Sequence, residues 1–264
     1  MTTPAARPVD LAKARILVTN DDGIDAPGIK ILEKAARRLS DDVWVVAPET
    51  EQSAVAHGLT IRRPLRIRRV AERHFAVDGT PTDSVLLAIG HILADRRPTI
   101  CFSGVNRGAN LGDDVTYSGT VAAAMEATLL GVPAIAFSQV FTKRDVVHWK
   151  TAETFVPKVA RSLARMGWPE NVLMNVNLPD RPPGRVRGVK AVAQGRHKAG
   201  DELVENKDPR GQSYYWIGAM RQLEPDRPGT DLHAVAAGWI AVTPLHLDLT
   251  HGETLARMAA SLGG

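Results

Sequence analysis

Two adjacent carboxylates, Asp21 and Asp22, follow the short apolar run Arg15-Ile-Leu-Val-Thr19 and precede Gly23. Neighbouring carboxylates repel unless a cation lies between them. Joined by neutral oxygens from Ser and Asn, they form a hard ligand set that suits Mg2+ or Mn2+ rather than Zn2+. The plain alternative is an Asp-Asp-Gly turn with solvated side chains. A second polar cluster, SGVNRGANLGDDVTYSGT, runs from Ser103 to Thr120. Glycines at 104, 108 and 112 let its backbone approach a ligand closely. It is neither G-x-G-x-x-G nor a Walker loop, so it does not indicate a dinucleotide or NTP site. Tyr117-Ser-Gly-Thr120 opens an alanine-rich segment. If that segment is a helix, its free amides suit a phosphate, although Ser118 or Thr116 could equally serve as its cap. His57 follows Gln52-Ser53 and could reach the same rim as a proton donor; an exposed loop histidine is the plain alternative. Asp113 and Asp114 could join the metal shell, with loop surface as the plain alternative.

These residues matter only if the fold brings them together. Arg15–Thr19, Val43–Ala47, Thr99–Ser103, Ala134–Ser138 and Val172–Leu178 are short, apolar and rich in β-branched residues, as buried strands are. Helical periodicity falls between them, over 27–39, 82–94, 118–130 and 151–166. Strands buried on both faces and alternating with helices predict a Rossmann-like α/β fold, a mostly parallel sheet with helices on both sides. In such sheets ligands bind beyond the carboxyl ends of the strands. Asn20-Asp21-Asp22, Gln52-Ser53, Ser103-Gly-Val-Asn106 and Ser138-Gln139 all follow strands, so the fold would place them along one rim.

Two regions break the alternation. Leu59–Val70 alternates apolar and basic residues and predicts an antiparallel hairpin or edge pair with a wet face. Its five arginines, at 62, 63, 66, 68 and 69, could bind an anion or guard an exposed edge with charge. Residues 180–231 are rich in Pro, Gly and charge and predict loops or an arm, although Tyr214-Tyr-Trp-Ile217 within them is apolar. A strand from Gly238 and a helix ending at Leu262 close the chain.

The 264 residues are 44% hydrophobic and 23% charged, which excludes disorder as the main state. No apolar run is long enough to span a bilayer. A formal charge of +4 is a mild excess and does not favour a nucleic-acid partner. The lone cysteine, Cys101, excludes an intrachain disulfide and any zinc site built on several cysteines, and reads as a core residue. Residues 1–14 lack the apolar stretch of a signal peptide and read as a disordered tail, giving a cytoplasmic expectation. Residues 15–264 then form one domain: a core over 15–179, an arm over 180–231, and a closing strand and helix over 232–264.

Several segments together carry a resemblance. They are ILVTNDDGIDAPGI at 16–29, AP at 47–48 with QS at 52–53, DGTPTDSV at 78–85, and SGVNRGANLGDDVTYSGTVAAAMEA at 103–127. GVPAIAFS at 131–138, NVNLP at 175–179, DPRG at 208–211, YYWIG at 214–218 and TPLHLDLT at 243–250 complete it. The chain resembles the SurE (survival protein E) family of metal-dependent 5′/3′-nucleotidases. The resemblance implies a Rossmann-like core with a C-terminal extension or hairpin arm used in oligomerisation, as a homodimer or homotetramer. It implies one divalent cation per subunit, Mg2+ or Mn2+, held by Asp21, Asp22, Ser53 and Asn106. Phosphate contacts fall on Ser118, Gly119 and Thr120, with Asn20 nearby, and the catalytic group comprises Asp21, Asp22 and Asn106. The substrates implied are nucleoside 5′- and 3′-monophosphates, with short polyphosphate as a further candidate.

Two rivals stand beside this reading. A phosphatase of the haloacid-dehalogenase type also places aspartates after its first strand, but it needs them two positions apart, and position 23 is Gly. A nucleic-acid-binding module using the 62–69 arginines would bind with steep salt dependence and release no phosphate.

Overall fold

The computed structural model describes residues 8–143, 146–196, 203–217 and 227–262. It contains a nine-stranded sheet and a separate two-stranded pair. Strands β1 (Arg15–Thr19), β2 (Asp42–Pro48), β5 (Ile100–Arg107), β6 (Ala134–Gln139) and β7 (Val172–Leu178) form its parallel centre. β4 (His74–Val77) extends it in parallel beside β2, and β3 (Ile67–Ala71) ends that side in antiparallel. On the other side β11 (Ile240–His246) lies antiparallel to β7 and parallel to β8 (Val189–Ala191). The spatial order is β3-β4-β2-β1-β5-β6-β7-β11-β8, which confirms a mostly parallel α/β sheet.

Helices cover both faces. α1 (Pro27–Ala36) and α4 (Trp149–Met166) pack on one, and α2 (Pro81–Leu87) with α3 (Gly119–Leu129) on the other. α1 starts with Pro27, whose missing amide costs nothing in a first turn. α2 starts at a capping box: the Thr80 hydroxyl accepts from the Asp83 N–H, and the Asp83 carboxylate accepts from the Thr80 N–H. Trp44 stacks on Phe75 at the half-covered side of the sheet, whereas Phe102 and Phe137 meet edge-on deep in the core. Among the described residues no helix is long and apolar enough to cross a membrane.

The structure corrects several expectations. Residues 59–70 do not form a hairpin by themselves; their end joins the edge pair, in which Ile67–Ala71 runs antiparallel to His74–Val77. Pro64 has no amide to give a ladder, and the pairing reaches back only to Arg66, whose N–H donates to the Asp78 carboxylate at 2.6 Å and whose carbonyl accepts from the Asp78 N–H at 3.1 Å. Residues 8–14 are not a disordered tail. Leu11–Lys13 form a 3-10 turn capped by Asp10, Leu11 enters the core, and the Val9 N–H donates to the Ala164 carbonyl at 2.9 Å. A single apolar residue with a capped turn is enough to dock a short segment, and periodicity cannot register so short a signal. Residues 1–7 lie outside the described residues.

The arm is also more ordered than its composition suggests. β8 joins the main sheet, and where the arm ends the chain enters α5 (Asp231–Ala236), which packs beside β11. β9 (Leu203–Lys207) and β10 (Ser213–Ile217) form the separate hairpin. Trp216 and Ile217 are 65% and 74% exposed, so the apolar patch does not pack against the main domain of its own chain. The final helix, α6 (Gly252–Leu262), likewise buries no residue.

Candidate active site

The carboxyl ends of β1 and β5 are adjacent, with Thr19 paired to Ser103. The chain leaves β1 through Asn20, Asp21 and Asp22, and Asp21 runs directly against the first turn of α3. Its carboxylate accepts a hydrogen bond from the Thr120 hydroxyl. A Cβ on Gly119 would lie 2.7 Å from the Asp21 Cβ and 3.0 Å from its Oδ2, so only glycine permits this approach. Asp21 is 5% exposed. Burial pushes its carboxyl up to about 6; the Thr120 hydroxyl opposes the shift and the Asp22 charge adds to it. Asp22 is less enclosed. Burial raises its pKa, the Arg107 N–H at 3.2 Å opposes that, and the charge of Glu51 raises it further.

β5 contributes through a break in its ladder. The register with β6 shifts between Ser103 and Asn106. There Gly104 has φ +120°, and a Cβ would meet the Phe137 carbonyl at 2.2 Å. Beyond this break Asn106 turns its side-chain amide to the Gly108 carbonyl at 3.3 Å, and the Arg107 amide faces Asp22. A buried polar network braces the loop that follows. The Asn110 N–H donates to Asn177 Oδ1 at 2.9 Å, its side-chain amide to Ser138 at 2.8 Å, and its carbonyl accepts from Asn175 and Asn177. Asp231 accepts from the Gly112 N–H at 2.9 Å.

The fold therefore brings Asp21, Asp22, Asn106, Ser118, Gly119 and Thr120 to one rim, each with a particular posture. Ser118 Oγ accepts from the Val121 N–H at 3.0 Å, the cap foreseen as an alternative; a hydroxyl doing so keeps its proton to donate. Thr120 is turned to Asp21. Asn20 donates its side-chain amide to the Gly23 carbonyl at 2.8 Å, so it braces the carboxylate turn as well as lying beside it. Ser53 is exposed and donates to Glu51 at 2.8 Å. Its loop reaches the rim, since the Gln52 N–H donates to the Asp21 carbonyl at 2.8 Å, but its hydroxyl is directed to Glu51.

Sequence reasoning missed Glu51, Arg107 and Glu126. Only the spatial meeting of loops gives the first two a role, and Glu126 looks like one polar residue in an alanine helix. His57 is not a free loop histidine: its Nε2 lies 2.9 Å from Glu126 Oε2. The arginine stripe is partly compensated, with Arg63 and Arg66 facing Asp78 at 3.4 and 3.8 Å and Arg68 facing Glu49.

The donors at the rim fit a hard divalent cation. Buried oxygens of Thr19, Asn20 and Ser103 have no hydrogen-bond partner, next to two carboxylates whose protonation burial favours. An isolated buried anion is costly, and a bound cation removes the cost. Among the described residues no three His, Cys, Asp or Glu side chains cluster as a metal site. A cation here would complete its shell with neutral oxygens and water, as Mg2+ and Mn2+ do.

A family model described as survival protein SurE matches residues 16–201. A protein of Paramagnetospirillum magneticum named 5′-nucleotidase SurE is 58% identical over 255 residues, covering 97% of each chain. Proteins of the same name from Parvibaculum lavamentivorans and Brucella suis are each 52% identical over 252 residues. Both matches cover 94% of this chain, with 91% and 98% of the respective relatives. The crystal structure of the SurE protein from Aquifex aeolicus superposes with a TM-score of 0.82 at 38% identity, covering 93% of this chain and 98% of that one.

Proposed function

The chain belongs to the SurE family, and from that membership we propose that it is a 5′-nucleotidase, a divalent-metal-dependent phosphomonoesterase releasing phosphate from nucleoside monophosphates. The observation that carries the reading is the contact between Asp21 and the first turn of α3, with Gly119 as the residue that allows it. It sets an anionic cation-binding group against a helix N-terminus suited to an anion.

Asp21 and Asp22, with Asn106 and the Ser53 loop, would hold the cation. When bound, such an ion offsets charge on the phosphoryl oxygens and acidifies water. The chain supplies the rest. The Ser118 hydroxyl and the Gly119 amide hold phosphate oxygens from the opposite side. Thr120 fixes the Asp21 carboxylate, and Asn20 holds the turn that carries it. The Arg107 amide orients Asp22. The adjacent spacing of the aspartates supports direct hydrolysis over a covalent aspartyl intermediate.

Contacts at this rim address phosphate and metal rather than a base. The reading therefore extends to 3′-monophosphates, to weak base discrimination and to short polyphosphate. The exposed β9–β10 hairpin supports assembly into a homodimer or homotetramer. The test is phosphate release from 5′-AMP, 3′-AMP and tripolyphosphate, with Mn2+ or Mg2+ and with EDTA. Release from 5′-AMP that EDTA abolishes is expected; release indifferent to EDTA would overturn the metal-dependent reading.

A further inference from the structure

Residues 49–60 cross from the end of β2 to the cap of α2, and the strap is held along its path. The Gln52 N–H donates to the Asp21 carbonyl at 2.8 Å, and the Ala56 N–H to the Tyr117 carbonyl at 3.2 Å, one residue before Ser118. At the far end the Thr80 hydroxyl donates to the Gly58 carbonyl at 2.7 Å, and the Thr60 N–H donates to Asp83 at 3.0 Å. Between these anchors Ala54 and Ala56 have φ +58° and +52°. Residues with a Cβ adopt that left-handed conformation only at a cost, so surrounding contacts must impose it.

One side-chain contact of this stretch reaches α3: His57 with Glu126. Glu126 sits on α3 about two turns beyond Ser118–Thr120 and is 8% exposed. A carboxylate so enclosed requires a donor. The partner the structure gives it is the imidazole of His57, whose Nε2 lies 2.9 Å from Glu126 Oε2. The pair ties the strap to the same helix whose first turn faces Asp21. Glu51 and Ser53 ride on that strap.

We propose that the His57–Glu126 pair is a latch that positions the strap against the Asp21–Asp22 carboxylates, with Glu126 acting as a positioning residue through His57. The inference rests on the phosphatase reading above, because the strap matters to catalysis only if the carboxylate rim is the reaction site.

The test compares the full chain with His57→Ala, His57→Gln, Glu126→Ala and the double alanine variant. His74→Ala serves as control, since His74 makes a similar 3.0 Å contact with Glu33 away from the rim. Three quantities are read: amide hydrogen exchange over residues 50–60, equilibrium Mn2+ binding followed by the electron spin resonance of free Mn2+, and kcat and KM for 5′-AMP. His57→Ala should speed exchange over the strap without lowering the melt in EDTA. It should also weaken Mn2+ binding and lower kcat/KM, each by about 10–100-fold, as loss of an outer-shell support does. His57→Gln, which can still donate, should recover most of both. The double variant should be no worse than either single one, because both remove the same contact. His74→Ala should change none of these quantities.

Unchanged strap exchange and Mn2+ binding in His57→Ala would overturn the proposal, as would losses that add in the double variant. If Glu126→Ala does not fold, the two His57 variants decide the matter. A wild-type chain that releases no phosphate would overturn the phosphatase reading, while strap exchange would still report on the latch.

Discussion

Replacing Asp21 with Asn should stabilise the metal-free protein while abolishing its activity. Asn has nearly the same volume and retains an oxygen to accept from the Thr120 hydroxyl. It removes a buried charge beside Asp22. The Asp21 pKa rises from 3.8 to about 6 on folding, and at 1.36 kcal/mol per unit the ionised form costs the folded state about 3 kcal/mol. The sign follows from proton binding. Below about pH 4 both folded and unfolded states carry the proton and the cost is absent. Between about pH 4 and 6 the folded state keeps a proton that the unfolded state has lost, so stability falls as pH rises. Above about pH 6 the full cost is present. Urea unfolding in EDTA at pH 3 and pH 7.5 measures it: wild type should lose about 3 kcal/mol relative to Asp21→Asn between the two. Phosphate release by the variant should fall at least a hundredfold even at saturating Mn2+. A variant less stable than wild type in EDTA at pH 7.5 would refute the argument, and so would near-wild-type phosphate release. Either result would mean that this carboxylate serves the turn rather than a cation.

Three further outcomes follow from the same geometry. Gly119→Ala drives a methyl group into Asp21 and should cut phosphate release by about a hundredfold, the scale of an ångström-level misplacement, while circular dichroism shows the fold retained. Mn2+ at a hundred times its dissociation constant should raise unfolding stability by about 2.7 kcal/mol, a gain that urea titration would find missing in Asp22→Asn. Trp216→Asp on the exposed hairpin should shift sedimentation toward a smaller species at micromolar concentration without altering the far-ultraviolet spectrum; unchanged sedimentation would exclude the hairpin from the subunit contact.

Much of the fold could be read from local sequence. β1 falls where its apolar run ends, because a strand covered on both faces needs a near-continuous run, and the polar Asn20 that follows Thr19 terminates it. α3 begins at Gly119 because Ser118 caps it. The carboxylate pair and the YSGT turn were visible as chemistry since each lies within a few consecutive residues. Tertiary structure decided what depends on meetings between distant segments. The partner of β3 was hidden because it lies beyond a turn at Arg73, a residue with φ +57° that composition does not betray. Glu51 and Arg107 gained a role at Asp22 only when three loops converged. Glu126 reads as a stray charge in an alanine helix until His57, 69 positions earlier, closes on it. Residue type and spacing set which groups could react. Burial, which costs a lone charge several kcal/mol, set how Asp21 titrates, and only the packed chain determines burial.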